Sequence, residues 1–404
     1  MLLIIGPGVT EHRGRLRVGS RTGELVDELA PRLEQVVYFG EAGHPDDARA
    51  GQKPRLYACE ARNVRIVQGR ARRVDGRGRL RAVLAPAAWL PRLRLIRGAA
   101  FVHIWMPSFP GVLAHLLCRL SRRPYSLYFV SDWEEIAPFA SRTSPLAGWR
   151  LRLYRRMAGW AERTAVRHAR FTLVDGRGLQ RRLAHLHPRV VEAIPRLDMR
   201  ATDVYERDDT CRGGVVSLLH VGSIIPRKAV LLLVEALRIL TERGRQVRLQ
   251  LVGGGDRSYE ATVRAAVLRH DLAERIEFLG YIADVPALLS RYRSADIFVS
   301  ASLGEGFPRV LIEAASQGLP VVAGGIGTIA ATLRDGREAL LVEPGSGEAL
   351  ADGVERVMGD AGLRRTLIRQ GYAFARAHFD RGRPSAQLLE LLRASWPGPV
   401  GSER

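Results

Sequence analysis

Residues 300–325, SASLGEGFPRVLIEAASQGLPVVAGG, constrain this chain more than any other stretch, because they read as strand end, loop, helix and strand in one short unit. The apolar run Ile297, Phe298 and Val299 ends a strand, and Gly304 and Gly306 place residues 300–307 in a loop. Pro308 suits the first turn of a helix, where its missing N–H costs nothing. Val310, Leu311, Ala314 and Ala315 then recur at helical spacing, and Gly318 is placed to cap the helix at its C-terminus. The next buried strand starts at Leu319. Two carboxylates sit in the unit, Glu305 in the loop and Glu313 on the helix. Leu311, Ile312, Ala314 and Ala315 flank Glu313, an apolar setting that makes a charge costly unless it has partners.

The same alternation runs through the chain. Apolar runs predict strands at 2–5, 36–39, 64–67, 101–104, 125–130, 171–174 and 190–194, with helices at 23–33, 111–120 and 150–167. Residues 195–214 are polar, aperiodic and end in Gly-Gly, the signature of a linker. Beyond it, strands are expected at 215–221, 247–252, 276–279, 296–299 and 339–342, and helices at 230–243, 258–270, 285–292, 348–358, 363–378 and 384–396. The expected fold class is α/β, with two Rossmann-like doubly wound domains facing a central cleft. The first spans 1–195, the linker 196–213 and the second domain 214–375. A C-terminal helix and tail, 376–404, pack back toward the first domain. Loops 222–228, 253–256 and 302–307 follow strands, so all three should line the cleft.

Charge divides the chain into two electrostatic objects. Residues 1–200 carry 36 Lys and Arg against 17 Asp and Glu, a balance of +19, whereas residues 201–404 carry 26 against 25, a balance of +1. Between Arg62 and Arg97 the only acid is Asp75. Such a half attracts something acidic, whether anionic lipid, nucleic acid or a polyanionic substrate, and an anionic membrane surface is one partner expected. The helix at 150–167 carries Trp149, Leu153, Met157 and Trp160 at spacings of three and four, interleaved with Arg150, Arg152, Arg155, Arg156 and Arg163. An ordinary amphipathic helix facing its own core is the favoured reading, and a basic interfacial helix is the alternative. A nucleic-acid partner is disfavoured, since no aromatic-interleaved basic motif or reader fold is present. No apolar run is long enough to span a bilayer, and the short run at 2–5 followed by Gly-Pro-Gly reads as a strand, not a signal peptide. Cys59, Cys118 and Cys211 are scattered and odd in number, which fits a reducing cytoplasm. The expected location is cytoplasmic, peripheral on the inner face of the membrane.

Three features point to a nucleotide-diphosphate site. Arg227 and Lys228 follow a strand and precede a helix, where two cations can neutralise a diphosphate. The run LVGGGD, with Gly254 at its centre, lets backbone approach a ligand closely. The N–H groups of Gly306, Phe307 and Arg309, around Pro308, can point at phosphate or sugar oxygens, and Glu313 can accept from both hydroxyls of a ribose.

The segments LLLVEAL after Lys228, LVGGG, FLG, YRSADIFVSASLGEGFPRVLIEAASQGLPVVA and ALLVEPGSGEALADGVERVM, in this order, resemble the C-terminal domain of glycosyltransferase family 4. The resemblance covers roughly residues 213–375, and its most specific part is the Glu305/Glu313 pair with Gly-Phe-Pro between. It implies a GT-B fold and a retaining, metal-independent transfer of a hexose from a UDP- or GDP-sugar, the sequence leaving base and sugar open. The acceptor would be a cell-surface polysaccharide or a lipid-linked glycan precursor. Glu313 would hold the ribose hydroxyls, Glu305 with the amides of Gly306 and Phe307 the donor sugar, and Lys228 the diphosphate. Where the family usually carries an arginine, two residues after the strand, this chain has Ser223, with Arg227 placed to compensate. Where it often has a histidine facing the reacting sugar, this chain has Ser131 and Asp132, and Asp132 is the candidate for the acceptor side.

Retention without an enzymic nucleophile requires the leaving diphosphate to stay close and help deprotonate the acceptor, so positioning and electrostatics carry the catalysis. No cofactor and no metal are expected, because no Asp-x-Asp clamp sits at a strand end. The alternatives are a phosphorylase or hydrolase on the same fold, or a catalytically degenerate glycan-binding relative.

Overall fold

A computed structural model describes residues 1–12, 15–42, 56–69, 90–130, 149–195, 197, 199, 201–305, 307–379 and 383–396. The N-terminal sheet contains β1 (Leu2–His12), β2 (Arg15–Gly19), β3 (Val36–Ala42), β4 (Leu56–Tyr57), β5 (Val64–Gly69), β6 (Phe101–Met106), β7 (Tyr125–Phe129), β8 (Thr172–Val174) and β9 (Val190–Glu192). Its parallel body runs β5-β3-β1-β6-β7-β8-β9. The C-terminal sheet is parallel throughout, in the order β12-β11-β10-β13-β14-β15. Its strands are β10 (Val216–Val221), β11 (Val247–Val252), β12 (Ile276–Gly280), β13 (Ile297–Ser300), β14 (Val321–Gly324) and β15 (Leu340–Val342). Both sheets reverse strand order at their centres, β1 to β6 and β10 to β13, the arrangement expected of doubly wound domains.

The strands read as continuous apolar runs because helices cover both faces. In β10, Val216 and Leu218 join one core while Leu219 and Val221 join the other, following the two-residue period of a strand. In β1, Leu3 and Ile5 face one side and Leu2 and Ile4 the other. Helix starts are marked by polar caps: Asp256 accepts from the Tyr259 amide at 3.0 Å and Asp284 from the Ala287 amide at 2.9 Å.

Two expectations change. Gly6 and Gly8 were expected to end the first strand, yet β1 runs through them and returns as β2 in an antiparallel hairpin pairing Thr10 with Arg17. Gly6 is required inside the strand because a Cβ there would lie 2.4 Å from the Tyr38 hydroxyl. In the helix Trp149–His168 the side chains of Trp149 and Leu153 lie outside the described part, and the other two apolar residues depart from the favoured reading. Met157 and Trp160 face solvent, 62% and 53% exposed, and the core side is formed by Ala161, Ala165 and Val166. Much of the basic stretch 62–97, the residues 70–89, lies outside the described part.

The segment joining the sheets is docked on the C-terminal domain. Arg207 donates to the carbonyls of Tyr292, Ala295 and Gln317, and the Arg364 guanidinium binds the Asp209 carboxylate. Its polarity therefore serves hydrogen bonds to a neighbouring surface. The helix Pro384–Ser395 packs on the N-terminal domain, where the Gln387 side chain accepts from the Ile194 amide at 2.8 Å and donates to the Glu192 carbonyl at 2.9 Å. Between the domains, the helix Arg177–Leu183 packs on the helix Gly327–Thr332. Among the described residues no helix is long and apolar enough to cross a membrane.

Candidate active site

The site lies where β10 and β13 diverge, the switch point of the C-terminal sheet, at which doubly wound folds bind ligands beyond the strand ends. Three loops meet there. The loop after β10 ends in a short 3-10 turn, Pro226–Lys228. The Leu303 amide, in the loop after β13, donates to the Arg227 carbonyl at 2.9 Å. The loop after β11 joins them through the Ile224 amide, which donates to the Gly254 carbonyl at 3.0 Å.

The glycines of that third loop are there for backbone contact. A Cβ at Gly253, where φ is +130°, would lie 1.9 Å from the Gly222 carbonyl oxygen, and one at Gly255 would lie 2.4 Å from that of Ile224. The Gly-Gly-Gly run thus presses two loops together, and Gly254 contributes a carbonyl already engaged by Ile224.

Across the switch point, the Lys228 ammonium donates to Glu305 Oε1. Arg227 donates to the Gly304 carbonyl and lies 3.5 Å from Glu305 Oε2. Burial would push the Glu305 carboxyl up, but Lys228 first, then a hydrogen bond from Ser302, then Arg227 outweigh it, holding the group below the usual carboxylate range. Ser223 sits in the same loop, half-buried. Thr328 donates from its hydroxyl to the Glu305 carbonyl at 3.1 Å. The loop carrying Glu305 is thereby tied to the helix that meets the N-terminal domain.

Pro308 stands just before the helix Arg309–Ser316 and Gly318 adopts φ +66° after it, as the unit's sequence required. The Phe307 side chain is buried beside His378. The Arg309 amide donates to the Phe307 carbonyl at 2.8 Å, a tight turn made where Pro308 starts the helix. Glu313 is buried on the inner side of the helix, and its Oε2 accepts from the Tyr292 hydroxyl at 3.4 Å. Its partner requirement is met, at least in part, by a residue of the preceding helix, Val285–Ser294. Gly306, Ser131 and Asp132 lie outside the described residues.

One residue went unread in the sequence, His220, fully buried in β10. Its Nδ1 donates to the Val299 carbonyl at 3.0 Å, leaving Nε2 as an acceptor with no partner among the described residues. Burial lowers its pKa to about 4. A Cβ at Gly222 would lie 3.1 Å from that nitrogen and 3.9 Å from Lys228 Cε, so His220 forms the floor under the cationic loop. A histidine inside the largely apolar strand Val216–Val221 was the available signal.

In chemical terms the site holds two cations and one carboxylate paired across two loops, with one positive charge in excess. A ligand offering anionic oxygens to Arg227 and Lys228 and hydroxyl donors to Glu305 replaces both halves of this pair.

Residues 216–360 match the family model of the glycosyl transferases group 1. The chain is 34% identical over 167 residues to phosphatidyl-myo-inositol mannosyltransferase of Mycobacterium leprae, covering 41% of this chain and 43% of that protein. It is 30% identical over 240 residues to mannosylfructose-phosphate synthase of Agrobacterium fabrum, covering 57% of this chain and 52% of that one. The chain thus spans about half the length of these curated relatives. Among solved structures, Anabaena HepE in complex with UDP and glucose aligns over 98% of this chain and 100% of its own, with TM-score 0.66 and 18% identity. Sucrose-phosphate synthase of Thermosynechococcus elongatus aligns over 97% and 98%, with TM-score 0.71 and 20% identity. Residues 216–360 are thus similar to the group 1 glycosyl transferases, and the two α/β domains together have the GT-B fold.

Proposed function

We propose that this protein is a retaining glycosyltransferase that moves a hexose from a UDP- or GDP-sugar to a cell-surface polysaccharide or lipid-linked glycan precursor. The observation that carries the reading is the Lys228–Glu305 pair at the switch point, with Arg227 beside it. Arg227 and Lys228 take the diphosphate and stabilise the charge that grows on it as the glycosidic bond breaks. Glu305, released from Lys228, accepts hydroxyls of the donor sugar, and Glu313 accepts from the ribose. The leaving diphosphate remains against the two cations and takes up the acceptor proton, so no enzymic nucleophile and no metal are needed in this reading. The matched relatives act, by name, on mannosyl groups, and one structural neighbour holds UDP and glucose, which supports a nucleotide-sugar donor. The +19 balance of residues 1–200 supports work against an anionic membrane surface, with the acceptor held on the N-terminal domain.

Thermal-shift titration with UDP- and GDP-sugars tests this. Stabilisation by one nucleotide sugar is expected, reduced in Glu313→Ala. If no nucleotide sugar stabilises the wild type, or if transfer depends on free phosphate and consumes no nucleotide sugar, the reading fails.

A further inference from the structure

We propose that the outer face of the helix Trp149–His168 seats this protein on an anionic phospholipid surface. The inference rests on the reading of a membrane-apposed acceptor domain given above, and not on the sugar chemistry.

Over its described side chains, residues 156–168, the helix is amphipathic in the reverse of the usual sense. A helix that folds for its own core turns its large apolar side chains inward. Here the inward positions are the small residues Ala161, Ala165 and Val166, while Met157 and Trp160 are 62% and 53% exposed. Arg156, Arg163 and Arg167 are exposed as well. At about 100° per residue, Arg156, Trp160, Arg163 and Arg167 fall within about 60° of one another, and Met157 lies about 60° further round, beside Trp160. The Arg163 guanidinium lies over Gly159, where a Cβ would meet its Nη1 at 3.3 Å, so this cation sits one residue from Trp160.

Among the described residues, the helix itself places no carboxylate on this face. The only carboxylate of the helix, Glu162, is turned inward and bound by Arg182 at 2.7 and 2.9 Å. Removing that acid from the surface leaves a stripe of guanidinium groups around an indole and a thioether. Each group suits one layer of a bilayer surface. Guanidinium forks bind phosphate oxygens, indole rings settle at the boundary between headgroups and acyl chains, and a thioether enters the hydrocarbon. An acidic protein groove or RNA would satisfy the arginines but gives no apolar depth for Met157.

Vesicle flotation decides it. The full chain is expected to float with vesicles of phosphatidylcholine and phosphatidylglycerol, and to stay at the bottom with phosphatidylcholine alone. Met157→Ala with Trp160→Ala should lower the partition about tenfold. Arg156→Ala, Arg163→Ala and Arg167→Ala together should lower it at least as much and remove its dependence on salt. Arg269→Ala, on the C-terminal domain, should float like the wild type. All variants should keep the wild-type melting temperature, since these side chains face solvent. Equal flotation of wild type and helix variants overturns the assignment to this face and leaves the membrane reading standing. No flotation of the wild type ends both. Loss of folding in the Met157/Trp160 variant, or tighter binding of RNA than of vesicles, also overturns the proposal. Retained donor-induced stabilisation in every arm keeps the donor-site reading separate from these outcomes.

Discussion

Lys228 and Glu305, 77 residues apart in the chain, are joined across the switch point by a hydrogen-bonded ion pair. Each partner ends a loop leaving the middle of the C-terminal sheet, β10 for the lysine and β13 for the glutamate. The pair holds the loops in register before any ligand arrives. Its side chains are only 12% and 10% exposed, so neither is screened as a surface charge would be.

Breaking one half should therefore cost more than breaking both. Lys228→Met alone is expected to destabilise the domain by about 1–3 kcal/mol, because it takes the principal partner from a buried carboxylate and leaves Arg227 at 3.5 Å. Adding Glu305→Gln should recover part of that loss, giving a clear coupling in a double-mutant cycle read by urea unfolding. In both cases transfer should fall roughly a hundred- to a thousandfold, as when a charge stabiliser is removed.

Glu313 and Tyr292 separate binding from stability. Tyr292→Phe removes a weak 3.4 Å bond and is expected to lower stability by about 1 kcal/mol with little change in donor affinity. Glu313→Gln should lower donor affinity more than it lowers the melting temperature. Isothermal titration with the donor and thermal unfolding measure the two effects separately.

Gly253→Ala is expected to be among the most damaging single changes in the C-terminal domain. Its Cβ would enter the Gly222 carbonyl at 1.9 Å, and its φ of +130° disfavours any side chain. A loss of about 3 kcal/mol or more follows, with weaker donor binding because the Gly222 loop carries Lys228 onward. Gly244→Ala, in open space at φ +76°, should cost less, and comparing their melting temperatures checks the steric claim.

Acid should unfold the protein through buried histidines. Burial lowers His103 to about 3 and His115 and His220 to about 4, against about 6.5 for an unfolded chain. The folded pKa is depressed in each case, so stability is full above pH about 6.5 and falls as pH drops toward 4, while the unfolded chain alone binds protons. The slope is about 1.4 kcal/mol per pH unit for each histidine. His115→Phe should flatten the curve of melting temperature against pH by one histidine's share.

Much of the C-terminal half was legible because its strands are buried on both faces and its helices start at polar caps. The unit at 300–325 declared strand, loop, helix and cap from residue types alone. The hairpin β1–β2 was not legible, since the reason Gly6 stays in a strand is the Tyr38 hydroxyl of a neighbouring strand. The role of Gly253 was hidden likewise: the oxygen it avoids belongs to another loop. The helix Trp149–His168 misled because spacing shows that apolar residues share a face, and only packing shows which way that face turns.

By itself the sequence determined the α/β rhythm, the division of charge between the halves, and which residue types could hold a nucleotide sugar. Local patterns suffice for these, because they depend on neighbours along the chain. Tertiary structure decided that Lys228 and Glu305 meet, that His220 lies beneath them, and that Glu313 turns inward. Those facts depend on which strands lie side by side at the switch point, a relation between segments that spacing along the chain does not encode.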